Sequence, residues 1–270
     1  MPELRTLVVI PARLASQRLP RKMLLADTGL PLVVHTFRAA AAAVPGATVV
    51  VVTDDAEIAA AIRAAGGRAE MTSPDAPSGT ARIVEALPRL PEADIVVNLQ
   101  GDEPEISPAA VGAAIALLGR CHSAGMATLV TPLRSAADLA TPSVVKAVLT
   151  PWRDPPPAGL VPGAALPDAW RAITFSRAPV PAARDWTDDL LSASPPLYWQ
   201  HVGLYAYRRA VLEAWDDLPP SRLAGLESLE QLRVVEAGIP IAAAAVDHPT
   251  RGIDTAADYA AFVARLQNAA

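Results

Sequence analysis

Short apolar runs rich in valine and isoleucine alternate along this chain with alanine-rich stretches of helical length. Brief runs of that kind suit strands buried on both faces, and their alternation with helices predicts a parallel sheet covered on both sides. Strands are predicted at Thr6 to Pro11, Ala47 to Thr53, Arg68 to Met71, Asp94 to Leu99, Met126 to Thr131 and Val144 to Leu149. Between them the spacing predicts helices at Leu32 to Ala43, Ala56 to Ala65, Thr80 to Leu87 and Pro108 to Leu118. A proline-dense stretch, Pro151 to Pro167, interrupts the pattern and reads as a surface excursion, because proline suits neither a helix interior nor a central strand. Strands at Ala172 to Phe175, His201 to Tyr207 and Ile239 to Val246 follow, with helices at Leu226 to Ala237 and from Thr255 onward. The predicted architecture is one doubly wound, mostly parallel α/β domain over residues 1 to 270, with residues from about 151 to 225 forming a smaller subdomain over the sheet edge.

Composition narrows the function classes. The 270 residues are 51% hydrophobic and 19% charged, enough for a sizeable core. A net charge of −5 with no basic block argues against nucleic acid as a partner, so anionic ligands must be held by local cations and backbone amides. The lone Cys121 forms no intramolecular disulfide, and neither a signal segment nor a membrane span is read from the hydrophobic pattern. A cytoplasmic protein is expected.

Directly after the first predicted strand runs Pro11-Ala12-Arg13-Leu14-Ala15-Ser16-Gln17-Arg18-Leu19-Pro20-Arg21-Lys22, with four cations in its last ten residues. Ligands of open α/β sheets bind outside the carboxyl ends of the strands, where this loop begins. Arginine forks take phosphate oxygens in pairs, and lysine stabilises charge developing at an α-phosphorus. Charge and placement alone divide evenly between that reading and an ordinary exposed basic loop. Neither of the glycine-rich phosphate-binding patterns, G-x-G-x-x-G or G-x-x-x-x-G-K-[ST], occurs.

The predicted strand at Asp94 to Leu99 leads into Gln100-Gly101-Asp102-Glu103-Pro104, which places acids at another strand's carboxyl end. Asp102 is the first candidate for Mg²⁺, whereas Glu103 also suits an exposed turn or helix start. A second acid comes from Arg251-Gly252-Ile253-Asp254-Thr255, although Asp254 or Thr255 alone reads more readily as the N-cap of the last helix. Ser78-Gly79-Thr80-Ala81-Arg82 opens a helix, where its hydroxyls and amides either cap it or read a pyrimidine edge. His201 suits equally a hydrogen-bonded strand-start histidine and a ligand contact, and Lys146 equally a solvated strand-end lysine and a site residue. In the helix around Glu230-Gln231-Leu232-Arg233, the spacing predicts Leu229, Leu232 and Val235 as the buried face.

The string P-A-R-x-x-S-x-R-L-P-x-K resembles the nucleotide-binding loop of cytidylyltransferases that activate acidic sugars, most closely the 3-deoxy-D-manno-octulosonate (Kdo) cytidylyltransferase family of lipopolysaccharide assembly. Similar segments recur in order from Val9 to Asp258. The resemblance implies a nucleotide-diphospho-sugar transferase fold, CTP and an acidic eight-carbon sugar as substrates, Mg²⁺ and a homodimer. It implies catalytic roles for Arg13, Lys22 and Asp102, and Mg²⁺ binding by Asp102 and Asp254. CTP contacts are implied for Pro11, Ala12, Arg13, Ser16, Lys22, Ser78, Gly79, Thr80, Arg82 and Gln100. Sugar contacts are implied for Arg177, His201, Tyr205, Glu230 and Gln231. The family usually carries H-x-S-G-T-E-R where this chain has Ala76-Pro77-Ser78-Gly79-Thr80-Ala81-Arg82, and often Arg where Gln200 stands. Those departures leave another 2-keto acid sugar, of the sialic acid or amino-Kdo type, as the alternative substrate. A noncatalytic CTP-sensing paralogue is the rival of another class, against which Lys22, Asp102 and Asp254 argue. A glycosyltransferase with a D-x-D motif fits less well, since the chain offers D-E-P and a basic loop.

Overall fold

The structure, a computed structural model, describes residues 4–16, 18–154, 165–247 and 252–269. These residues divide into two compact units, one running up to Gly112 and resuming at 252, the other from Ala113 to 247.

In the first unit, strands β1 (Thr6–Ala12), β2 (Thr48–Thr53), β3 (Arg68–Met71) and β4 (Ile95–Asn98) lie in the order β3-β2-β1-β4, with the described pairings parallel. Leu7 to Ile10 are at most 1% exposed, as expected of a central parallel strand covered on both faces. Helices α1 (Leu32–Ala43), α2 (Ala56–Ala64) and α3 (Gly79–Ala86) alternate with the strands, and α4 (Pro108–Arg120) follows β4. Two helices start where side chains take their orphan amides. Asp55 accepts from the backbone N–H of Glu57 and Ile58, and Ser78 Oγ accepts from that of Ala81. The C-terminal helix Ala256–Ala269 begins with a reciprocal box, in which Thr255 N–H donates to Asp258 at 2.8 Å and Asp258 N–H to Thr255 Oγ1 at 3.2 Å. Its Tyr259 and Phe262 pack with Leu32 and Ile253, which anchors the segment carrying Asp254.

The second unit contains β5 (Met126–Pro132), α5 (Ala136–Ala140), β6 (Lys146–Pro151), β7 (Trp170–Ser176), α6 (Asp189–Ser192), β8 (Trp199–Arg208), α7 (Arg209–Glu213), α8 (Arg222–Glu227), α9 (Gln231–Glu236) and β9 (Ile241–Ala245). The strands lie in the order β8-β5-β9-β7-β6, and β8 also meets β6. Among the described residues of this unit, β5 and β9 pair in parallel, while β5 with β8, β6 with β7 and β8, and β7 with β9 are antiparallel. The expectation of a mostly parallel sheet therefore needs correcting in this unit, where strands return beside their partners without a crossover helix. The division at Gly112 also differs from the expected subdomain at about 151 to 225, because β7 and β8 are woven among β5, β6 and β9. Most of the predicted proline-rich excursion, residues 155–164, lies outside the described residues.

Two cations act as internal ties in this unit. Arg208 donates from Nε to Ala124 O at 2.7 Å and from Nη2 to Leu118 O at 2.8 Å, closing the end of α4. Lys146 is fully buried and donates to the carbonyls of Thr141, Val144 and Arg177, and burial pulls its ammonium below the usual lysine range. That settles the two readings of Lys146 in favour of neither: it is a buried structural cation. The helix predicted at Leu226 to Ala237 is in fact two, α8 and α9, parted by Ser228 in the left-handed region at φ 51°. The break moves the helical phase, so that Val234, with Leu229 and Leu232, is buried in place of Val235.

Candidate active site

The carboxyl ends of the first unit's strands surround an open pocket of about 580 Å³, within the range of small-molecule sites. Pro11, Ala12, Arg13, Ser16 and Lys22 line it from the loop after β1, Ser78, Gly79 and Arg82 from the start of α3, Gln100 and Asp102 from the turn after β4, and Asp254 from the start of the last helix. The sequence-predicted nucleotide residues thus meet at one place, with one correction. Thr80 is fully buried, lies outside the pocket lining, and accepts a hydrogen bond from Asn98 Nδ2 at 3.2 Å, so it braces α3 against β4.

Small residues let the walls approach. A Cβ on Gly101 would lie 3.0 Å from Pro11 O, and one on Gly79 would lie 3.2 Å from Pro11 Cγ. Thr36 Oγ1 donates to Gly101 O at 2.8 Å, and Ile253 N–H donates to Asp102 O at 2.9 Å, which ties the two acidic segments together. The outcome is a focused charge cluster. Lys22 Nζ donates to Asp102 Oδ2 at 2.6 Å, Ile253 O at 2.8 Å and Asp254 Oδ1 at 3.3 Å, while Arg18 pairs with Asp254 at 2.8 Å. Asp254 is available to the pocket because Thr255 and Asp258 do the capping. The Thr255 hydroxyl and nearby amides in turn hold the Asp258 carboxyl below its usual range. Arg13 is exposed beside this cluster.

Sequence reasoning passed over Asp54, whose carboxylate pairs with Arg82 and accepts from the backbone of Leu14. Two acids in succession after a strand were a readable signal: one, Asp55, caps α2, which leaves the other for a different task.

The sugar-side candidates all lie in the second unit, and two of them are engaged in its framework. Arg177 donates to the carbonyls of Glu227 at 2.6 Å, Pro142 at 3.1 Å and Ser228 at 3.3 Å, so its guanidinium holds loops together. His201 is buried between the Phe175 ring edge and the stacked Tyr205 ring, with Nε2 3.0 Å from Thr128 Oγ1. Burial pushes its imidazole down to about 3. Both side chains are therefore held in place by the framework of this unit. Tyr205 donates its hydroxyl to Gln231 Oε1 at 3.2 Å, and the buried Gln231 Nε2 has no hydrogen-bond partner among the described residues. Glu230 is half-buried just before α9. No helix among the described residues is long and apolar enough to cross a membrane.

Residues 7–241 match the family model described as cytidylyltransferase. A 3-deoxy-manno-octulosonate cytidylyltransferase of Rhodopirellula baltica is 43% identical over 98% of this chain and 100% of its own. One from Rhodopseudomonas palustris is 46% identical over 94% of this chain and 93% of its own. Among solved structures, CMP:2-keto-3-deoxy-manno-octonic acid synthetase complexed with CTP superposes with a TM-score of 0.83 at 38% identity, covering 98% of this chain and 100% of that one. With such identity running the length of both chains, and the residues of the basic loop and both acidic segments gathered in one pocket, the chain belongs to the cytidylyltransferase family, among the 3-deoxy-manno-octulosonate cytidylyltransferases.

Proposed function

We propose that the protein transfers CMP from CTP to the anomeric hydroxyl of Kdo and releases pyrophosphate. The observation that carries this reading is the convergence of Lys22, Asp102 and Asp254 on one point of the pocket that the basic loop lines. In the reaction, the sugar hydroxyl oxygen bonds to the α-phosphorus, the bond from that phosphorus to the bridging oxygen breaks, and the hydroxyl proton passes to solvent. No bond to the protein is needed, so positioning and charge are what the residues supply. Arg13 and Arg18 are suited to paired phosphate oxygens and Lys22 to the charge that grows around the α-phosphorus.

Two carboxylates around a cation form an oxygen-only donor set, which suits Mg²⁺; this ion keeps several waters and takes substrate phosphate oxygens to complete its shell. Asp102 and Asp254 would hold it. When bound, it would neutralise charge on the leaving pyrophosphate. In the second unit, Tyr205, Glu230 and Gln231 are the side chains proposed for the sugar, with the Gln231 amide N–H₂ offered to a hydroxyl. The reading includes a cytoplasmic homodimer whose product enters lipopolysaccharide synthesis.

Pyrophosphate release from CTP and Mg²⁺, measured with Kdo, with sialic acid and with no sugar, tests the assignment. Kdo-dependent release that falls at least about 100-fold in Asp102→Ala supports it. Release with sialic acid alone would move the substrate to another 2-keto acid sugar, an outcome kept in play by Ala76, Ala81 and Gln200. CTP binding without release for either sugar would favour the sensing role.

A further inference from the structure

Asp54 has no place in the roles assigned above, yet its two oxygens reach two parts of the nucleotide pocket. Oδ1 accepts from the backbone N–H of Leu14 at 3.2 Å, and Leu14 sits in the basic loop directly after the pocket residue Arg13. Oδ2 lies 3.2 Å from Nη2 of Arg82, a cation that lines the same pocket from α3. The side chains of Arg82 and Asp54 are only 4% and 11% exposed, so the pair is screened little by solvent. Arg82 is oriented further by Nη1, which donates to Thr72 Oγ1 at 2.5 Å and Ser73 O at 3.0 Å.

We propose that Asp54 is a positioning residue for the triphosphate: it locks the start of the basic loop to Arg82 and so presents loop and cation to the phosphates in one arrangement. The proposal rests on the CTP reading. Its physical basis is that the far end of the loop is held independently, by the three bonds of Lys22 Nζ and by Arg21 paired with Glu57 at 2.6 Å. Near Arg13, the contact with Asp54 is the corresponding tie. Without it the loop samples more conformations and must be ordered by the nucleotide, which weakens CTP binding more than it slows the chemical step. Arg82 also loses its buried counter-charge, which frees it to adopt positions unsuited to the ligand.

The experiment compares Asp54→Asn with wild type by calorimetric CTP affinity, by KM for CTP and for Kdo, by kcat, and by thermal unfolding. Asparagine preserves the shape but removes the charge. The expected result is a rise of about tenfold in both Kd and KM for CTP, with KM for Kdo and kcat within about threefold of wild type. A CTP affinity within about twofold of wild type, or a parallel loss in kcat and both KM values that tracks a lowered Tm, overturns the positioning role. If Asp54→Asn does not fold, Asp54→Glu replaces it. That variant keeps a carboxylate for Arg82 but displaces it from the Leu14 amide; weaker CTP binding at an unchanged Tm supports the proposal, and unchanged CTP binding overturns it. Wild-type protein in the same assays tests the underlying reading separately. If wild type neither binds nor consumes CTP, the reading itself fails; if wild type is active and the variants match it, only the role of Asp54 fails.

Discussion

An ammonium group has three N–H donors and no acceptor, and those of Lys22 find two carboxylates and a carbonyl. Its neighbourhood was readable in part from local sequence, since a basic loop and two acidic turns each follow a predicted strand or precede a helix. Whether Asp254 or Thr255 capped the last helix was not readable, because both residue types cap well; the Thr255 and Asp258 box decides it. For His201 the deciding fact is burial. Its Nε2 shares a 3.0 Å contact with Thr128 Oγ1, a hydroxyl that also has Leu204 O at 2.9 Å and Val202 O at 3.2 Å within reach. The imidazole titrates near 3 in the folded chain and near 6.5 when unfolded, so between those values the unfolded chain binds more protons and stability falls as pH falls. Urea unfolding at pH 7 and 5.5 should show this group removing about 1 kcal/mol on acidification. His201→Gln should abolish that part of the difference. An equal loss in both proteins would contradict the assignment.

Elements with their start signals written locally fall where the pattern puts them. The helix over Leu32–Ala43 agrees to the residue, and α2 begins on the Asp55 cap. The break between α8 and α9 is different. Glu227 accepts from Ser176 Oγ at 2.8 Å and from Arg177 N–H at 2.5 Å, and Arg177 Nε donates back to Glu227 O. These partners stand about fifty residues away in sequence, so no window around Leu226 contains the reason the helix stops there. The arrangement forces Ser228 into the left-handed region, where a side chain is unfavourable. Ser228→Gly should therefore raise stability by about 0.5 kcal/mol, since relief of strain exceeds the added freedom of the unfolded chain, with Tm up by about 1–2 °C. A lower Tm would mean that the Ser228 side chain contributes something this backbone argument leaves out.

At the scale of the molecule, the residues proposed for the nucleotide belong to one compact unit and those proposed for the sugar to the other. CTP should accordingly stabilise the chain by mass action through the first unit alone, without any sugar. At about 100 times its dissociation constant, with Mg²⁺ present, CTP should add about 2.7 kcal/mol and raise Tm by roughly 5–10 °C. Asp102→Ala should reduce that shift, and a wild-type Tm indifferent to CTP would count against the nucleotide reading. Neighbouring residues alone specify the α/β alternation, the first unit's strands to within a residue or two and the placement of a basic loop after the first of them, because strand burial, helix capping and loop charge are local properties. The antiparallel weave of the second unit, the division at Gly112, the engagement of Arg177 and His201 in the framework, and the tie from Asp54 to Arg82 are visible only in the folded chain. Each of these depends on which distant groups share a buried space and must satisfy one another's hydrogen bonds, and that pairing exists only once the chain has folded.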